Sequence, residues 1–349
     1  MVPIRNLYNL LCYAWNFPQG VGAVDVGDVD GDRVQDLLAT MLVRAADDLL
    51  RRGLDRSYVV EDDDLRAPRG KIQISETIGR ALDRSSRVSC AFDELSYDVL
   101  HNRILRASAL RLSRCQLNPV LERRLCTMVR RMPIVRDVPL SPSLFSRVTL
   151  HRNNVRYRFA LQICELIVWS SIPDESGTGR RFVDVRGDDA MMGLLFEQFV
   201  RSFLRLEQSA FRVKRQSPVW AAVCAPEVRH LLPGMQTDIS LSRVGRHVVI
   251  ETKAVTGPLR PGRDGRRRLR ESNLYQLFAY LKNLRAAGHP QDLGVLLYVE
   301  DIDRIDASFL LDGESVRVAT IDLRQDWTQI KTDLLALSAS FNAEAAVAA

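Results

Sequence analysis

One stretch, from Thr237 to Lys253, constrains this chain more than any other. Within it Ile239 and Leu241, then Val248 and Ile250, recur at a period of two, the spacing of strands that lay one face on a core. Val244-Gly245 stands between the two runs as a tight turn, so the stretch predicts a β-hairpin. Centring the turn there sets Ile239 opposite Ile250 and Leu241 opposite Val248. The same register sets Asp238 across from Glu251, on the hairpin's second face.

Opposed Cβ atoms in such a ladder lie about 4.5–5.5 Å apart, close enough for two carboxylates to share one hard cation. Held that close without a cation, like charges repel and raise a pKa, so the geometry asks for Mg²⁺. Lys253 follows Glu251 by two residues and falls on the same face. The three residues form a D…(D/E)-x-K arrangement and resemble the motif of PD-(D/E)xK nucleases. In such a site the acids hold Mg²⁺, which polarises the scissile phosphate and lowers the pKa of its bound water. The lysine helps orient or deprotonate that water and balances charge developing on the phosphate. The plainer reading of the same residues is a surface hairpin with an Asp, a Glu and a Lys on its wet face.

Three neighbours extend the site. Glu197 lies on an amphipathic helical stretch before the hairpin and is either a further carboxylate of the metal shell or a solvated residue on the helix face. Gln276 lies in a helix expected to open with Ser272 as its N-cap, where it can face the site as a ligand of phosphate or water, while Tyr275 packs. Between Lys253 and that helix, residues 257–271 carry Arg260, Arg263, Arg266, Arg267, Arg268 and Arg270. They read as a loop whose guanidinium groups are either solvated or, beside a phosphate-cutting site, in contact with the DNA backbone. The start of this loop copies the spacing of a P-loop but lacks its Lys-Ser/Thr pair, so no nucleotide site is read.

The rest of the chain supplies scaffold. Ile4, Leu7, Tyr8, Leu11 and Trp15 fit one helix face, a second helix is expected over 33–52, and residues 20–31 read as a solvated Gly/Asp turn. Strands are expected at 57–61, 71–75 and 87–92, the first two joined by a basic hairpin tip containing Arg66, Arg69 and Lys71. Helices follow over 99–113, 119–131 and 155–171, and the Pro-, Gly- and charge-rich stretch 172–189 is the expected boundary. Beyond it come a helix over 190–207, the hairpin, a helix over 272–285, strands at 294–299 and 316–323, and a terminal helix. The chain is 349 residues long with a formal charge of +6, which excludes an acidic solvating protein and leaves a nucleic-acid partner open. No apolar run approaches the roughly 20 residues that span a bilayer, and the start lacks the features of a secretory signal. The scattered cysteines form no C-x-x-C pair, and the five histidines show no ligand spacing. A reducing cytoplasm is the expected location.

Several segments, in one order, resemble the McrC family, the nuclease subunits of McrBC 5-methylcytosine-specific restriction systems. They are Ile4-Arg5-Asn6-Leu7-Tyr8 with Tyr13-Ala14-Trp15, Gly70-Lys71-Ile72 with Thr77-Ile78, Phe92-Asp93, and Asn102-Arg103-Ile104. Further along are Leu231-Leu232-Pro233 with Thr237-Asp238-Ile239, and Asn273-Leu274-Tyr275-Gln276-Leu277. The resemblance implies a mixed α+β or α/β chain in two parts. An N-terminal mixed domain with helices, 1–175, docks on the partner. A C-terminal PD-(D/E)xK nuclease-like domain, 190–345, has a central mixed β-sheet flanked by helices. The implied partner is McrB, a GTP-hydrolysing AAA+ ring that recognises methylated double-stranded DNA. The ring, not this chain, binds GTP, and the family stimulates its hydrolysis. By the same likeness Arg66, Arg69 and Lys71 are candidates for insertion into the ring pore. The chain departs from the family at Glu251-Thr252-Lys253, where many relatives carry Asp-Ala-Lys, and in having no proline before Asp238. The position of Glu197 is not acidic in every relative. Two other classes stay open: a GTPase-activating adaptor with an inactive nuclease site, and a stand-alone DNA repair nuclease.

Overall fold

The computed structural model describes residues 1–17, 33–80, 82–173, 180–254, 258–262, 264–289 and 293–341. Helix α1 (Ile4–Ala14) forms where the apolar spacing predicts, with Leu7, Tyr8 and Leu11 buried. The chain divides into two compact units, and α1 groups with the residues from Asp184 onward, not with those up to Val183. The expected division into 1–175 and 190–345 differs from this grouping in placing α1 with the N-terminal part. Helical periodicity shows which face is buried but not against what. Here the Asn6 amide donates to the carbonyls of Leu323 and Gln325, both at 2.8 Å. The Tyr13 ring packs on Phe199, Phe203 and Trp327, and its hydroxyl bonds Glu207.

The unit ending at Val183 begins with α2 (Val34–Arg52), stopped by Gly53 at φ +85° after the basic residues Arg51 and Arg52, which suit the helix's negative end. The expected turn at 20–31 lies outside the described residues. Then come β1 (Ser57–Leu65), β2 (Lys71–Ile72), α3 (Ile74–Gly79), β3 (Val88–Ser96), α4 (Leu100–Ser113), α5 (Pro119–Arg131), α6 (Pro142–Phe145), α7 (Tyr157–Ser170), β4 (Ser171–Pro173) and β5 (Arg180–Phe182). Helices α2, α4, α5 and α7 pack together, burying residues such as Leu38, Met41, Ile104, Leu125 and Ile167.

Two expectations fail in this unit. The strand expected at 71–75 is only two residues long and turns into α3, because the Thr77 hydroxyl donates to the Gln73 carbonyl and accepts the Ser89 N–H, each at 2.9 Å. The basic turn is also not a hairpin tip. The sheet order is β1-β3-β2, so residues 66–70 cross β3 to reach its far side. Gly70 permits this at φ +71°, because a Cβ there would lie 2.4 Å from the Ala91 carbonyl oxygen. Arg69 stacks its guanidinium over Phe92 at 4.5 Å, and Arg66, Arg69 and Lys71 are all exposed.

The second unit continues with α8 (Asp189–Glu207), whose second and third N–H groups, those of Ala190 and Met191, are capped by the Asp188 carboxylate. It is followed by β6 (Arg212–Lys214), β7 (Ile239–Arg243), β8 (Arg246–Lys253), β9 (Leu259–Pro261), β10 (Arg267–Leu269), α9 (Glu271–Ala286), β11 (Leu293–Val299), β12 (Asp306–Leu311), β13 (Glu314–Ile321) and α10 (Trp327–Ser340). Six strands form one mixed sheet, ordered β12-β13-β11-β8-β7-β6, in which β11 runs parallel to both neighbours. The expected mixed α/β architecture is therefore what forms. Strand β8 lies inside the sheet with Val248, Val249 and Ile250 fully buried, so the hairpin's second face is covered by α9 and is not a wet surface. The loop expected over 257–271 contains the β9–β10 hairpin instead. Helix α9 starts at Glu271 with Arg270 at the cap position, so Ser272 is not its N-cap. Among the described residues no helix is long and apolar enough to cross a membrane, and the cysteines are unpaired.

Asp98 ties the first unit together. It accepts from the Arg103 guanidinium at 2.6 and 2.7 Å, from the Arg136 N–H at 2.8 Å, and from the Arg136 side chain. Burial alone would raise its pKa, but these donors outweigh it and hold the carboxyl down at about 2. A depressed carboxylate stabilises fully above its unfolded value near 3.8 and loses that contribution as pH falls toward about 2. Asp98→Asn should lower stability at pH 7 by on the order of 1 kcal/mol after screening. The gap to the unchanged chain should close with acidification, as read from urea unfolding midpoints across that range.

Candidate active site

The β7–β8 register is Ile239 to Ile250 and Leu241 to Val248, closed by Val244 and Gly245, the latter at φ +71°. Asp238 immediately precedes β7 and lies beside Glu251 as the alternation predicts. Its N–H donates to Glu251 Oε1 at 3.2 Å, and its Oδ2 accepts from both the N–H and the hydroxyl of Thr252 at 2.9 Å each. Glu251 is fully buried at 0% exposure. Burial, reinforced by the charge of Asp238 and opposed by Lys253, pushes its pKa up to about 7.

Lys253 Nζ stands 3.5 Å from Glu251 Oε2, an ion pair too long to be a good hydrogen bond, and Oε2 has no hydrogen-bond partner. The ammonium instead donates to Gln276 Oε1 at 2.9 Å, and Gln276 Nε2 donates to the Tyr280 hydroxyl at 3.0 Å. The structure thus gathers Asp238, Glu251, Lys253 and Gln276 around one spot at the end of β8.

Glu197 is placed differently. Its carboxylate is half enclosed and accepts from Arg201 at 2.5 Å and Arg215 at 2.7 Å, so it is neither solvated nor standing free beside the acidic pair. Arg201 also reaches the Asp238 carbonyl at 3.4 Å. Among the described residues no group of three or more His, Cys, Asp or Glu side chains is set to hold a metal; the acidic cluster is the pair alone. The pair nonetheless fits a hard cation: the Asp238 N–H bonds Glu251 Oε1, the charge of Asp238 disfavours ionisation of Glu251, and the buried Oε2 has no hydrogen-bond partner.

A cleft of about 1220 Å³ opens beside Lys253, walled by the β9–β10 hairpin and the first turn of α9. Arg260, Arg267, Arg268 and Arg270 line it; Arg266 is exposed outside that lining, and Arg263 lies outside the described residues. Arg260 sits directly across from Arg268 in the hairpin. Arg268 pairs with Asp264 at 2.6 Å, and Arg267 pairs with Asp303. Tyr275 is 66% exposed at the cleft wall and does not pack. Sequence reasoning missed Thr252, whose only signal is its place between the acid and the lysine. It also missed Arg201, which lies four residues after Glu197 on one helix face.

Comparison with known proteins gives a consistent result. A family model described as McrBC 5-methylcytosine restriction system component matches residues 4–299. The chain is 28% identical over 338 residues to the type IV methyl-directed restriction enzyme EcoKMcrBC of Escherichia coli, covering 96% of this chain and 97% of that protein. Among solved structures, it matches a chain in a half-complex from the tetradecameric assembly of Thermococcus gammatolerans McrB AAA+ hexamers with bound McrC. The TM-score is 0.59 at 18% identity, over 97% of this chain and 76% of that one. At that identity the likeness is one of fold.

The Glu251 shift makes a signed prediction. The folded, metal-free chain keeps a proton on Glu251 up to about pH 7, while the unfolded chain releases it near 4.5. The unfolded state therefore binds fewer protons across that window, and this group costs stability as pH rises through it. In the presence of a chelator, Glu251→Gln should be more stable than the unchanged chain at pH 8, by on the order of 3 kcal/mol. Near pH 4.5 the two should be equal, as read by denaturant unfolding at both pH values.

Proposed function

The chain belongs to the McrBC 5-methylcytosine restriction system component family, and we propose that within such a system it is the Mg²⁺-dependent endonuclease subunit, a PD-(D/E)xK enzyme. It cuts methylated double-stranded DNA in complex with an McrB-like AAA+ GTPase ring, whose GTP hydrolysis it stimulates. The single observation that carries this reading is the convergence of Asp238, Glu251, Lys253 and Gln276 at the edge of an arginine-lined cleft. Asp238 and Glu251 are the residues to hold the divalent ion. When bound, the ion supplies Lewis-acid polarisation of the scissile phosphate and makes a water easier to deprotonate.

The chain's own groups do the rest. Lys253, half buried and fixed by Gln276, presents a positive charge where negative charge grows on the phosphate, and orients the attacking water. Gln276 keeps the ammonium aimed away from a full contact with Glu251. Arg260, Arg267, Arg268 and Arg270 hold the backbone on either side of the scissile bond, which positions DNA without reading its sequence. Glu197 acts at one remove by holding Arg201 and Arg215.

Docking to the ring falls to the other unit. The exposed basic turn with Arg66, Arg69 and Lys71 adjoins apolar side chains that are also exposed, Ile74 at 67% and Ile78 at 68%. Exposed apolar surface rimmed by charge is what a protein interface uses. The Thermococcus chain of like fold is bound to McrB hexamers, which supports the same arrangement here.

Asp238→Asn and Lys253→Ala should each reduce cleavage of methylated DNA, measured with the ring and GTP present, by at least about 100-fold. Stimulation of GTP turnover, followed separately by phosphate release, should stay unchanged. Cleavage that survives either substitution would overturn the site assignment. Stimulated turnover with no nicking by the unchanged chain at any Mg²⁺ concentration would identify an adaptor instead.

A further inference from the structure

The acidic pair is held by a residue that the nuclease reading leaves without a role. Thr252 lies two residues past Ile250, where the pairing of β8 with β7 ends, although β8 continues beside β11 through Lys253. At that point the Thr252 N–H faces a gap in the ladder, and the Asp238 carboxylate fills it: Oδ2 accepts the N–H at 2.9 Å and the Thr252 hydroxyl at 2.9 Å. Thr252 is buried at 7% exposure, so its hydroxyl must find a protein partner, and Asp238 is the one it has.

The consequence is an assignment of oxygens. Asp238 Oδ2 is consumed by Thr252, and Glu251 Oε1 accepts from the Asp238 N–H at 3.2 Å. Glu251 Oε2 has no hydrogen-bond partner, and Oδ1 is the Asp238 oxygen that Thr252 does not engage. A carboxylate clamped by two donors on one oxygen cannot rotate that oxygen into the site, so its remaining lone pairs point one way.

We propose that Thr252 is a positioning residue, which fixes the Asp238 carboxylate so that Oδ1 of Asp238 and Oε2 of Glu251 together present the donor pair for a divalent cation. This rests on the metal-dependent reading of the pair and extends it to a residue whose hydroxyl is taken up by Asp238. The N–H half of the clamp is backbone and survives any substitution; the hydroxyl half belongs to the side chain and can be removed. Serine keeps the hydroxyl, whereas valine keeps the branched shape and removes it, leaving Oδ2 against a methyl group.

The test is Mn²⁺ binding to the full chain without DNA or partner, followed by the loss of the free-ion electron paramagnetic resonance signal. Thr252→Val should weaken Mn²⁺ binding about 10-fold, the lower end of what loss of an outer hydrogen bond to a metal ligand costs. Thr252→Ser should return it to within about 3-fold of the unchanged chain, which a purely steric role would not do. Thr252→Ala gives the same comparison if valine lowers the thermal midpoint. Equal Mn²⁺ affinity in the unchanged, valine and alanine chains would overturn the assignment while leaving the metal site standing. No uptake by the unchanged chain would overturn both together.

Discussion

The C-terminal unit is organised around one costly arrangement, the burial of Glu251 beside Asp238. An ionised carboxylate removed from water is strongly disfavoured unless it is paired, and a second carboxylate in contact makes it worse. The fold supplies only partial relief. The Asp238 N–H bonds one oxygen of Glu251, and the Lys253 ammonium stands near the other but bonds Gln276. Above about pH 7, where Glu251 gives up its proton, its charge is met within the fold by Lys253 at 3.5 Å. A structural ion pair would have drawn Lys253 fully onto Glu251; the 2.9 Å bond from Nζ to Gln276 keeps it off. Glu251 Oε2 is thereby left with an ion pair but no hydrogen bond.

Such a residue can be held only on a rigid element. Strand β8 has neighbours on both sides, β7 and β11, and α9 covers the face that carries Val249. On β11, Gly294 lets α9 approach, because a Cβ there would meet Leu281 at 2.7 Å and Leu277 at 3.1 Å. That close approach brings Gln276, one residue before Leu277, within reach of Lys253. Helix–sheet packing and site geometry are here the same contact.

How much of this was legible depends on the range of the interaction. The β7–β8 register could be read residue by residue, because strand alternation and a Gly-containing turn are local. Asp238 facing Glu251 followed from it. The placement of α1 could not be read, since Asn6 finds its acceptors more than three hundred positions away. The crossing of β3 by the basic turn was hidden for the same reason: a turn between two strands gives no sign that a third will come between them. Strand β12 was legible and was missed. Its turn to β13 is Asp312-Gly313, both residues at positive φ, the pair that a two-residue hairpin favours. Glu197 shows the limit of spacing arguments: its helix face was right, but Arg215, one of the two cations that claim it, comes from beyond the helix.

The arginine hairpin repeats in the opposite sign what the acidic pair does. Arg260 and Arg268 are set directly across from each other, and like charges in that position destabilise a two-stranded ribbon. Asp264 relieves Arg268, and Asp303 relieves Arg267, but both arginines remain on the wall of the cleft. A phosphate entering there would meet guanidinium groups already oriented by carboxylates of similar shape, so binding exchanges one anion for another and does not create order anew. Beside it lie the carboxylates of Asp238 and Glu251, with Lys253 Nζ 3.5 Å from the latter. On the proposed function, DNA and a divalent ion would answer two adjacent imbalances of opposite sign, and each would lower the cost of admitting the other. That coupling follows from charge alone, before any question of which bond is cut.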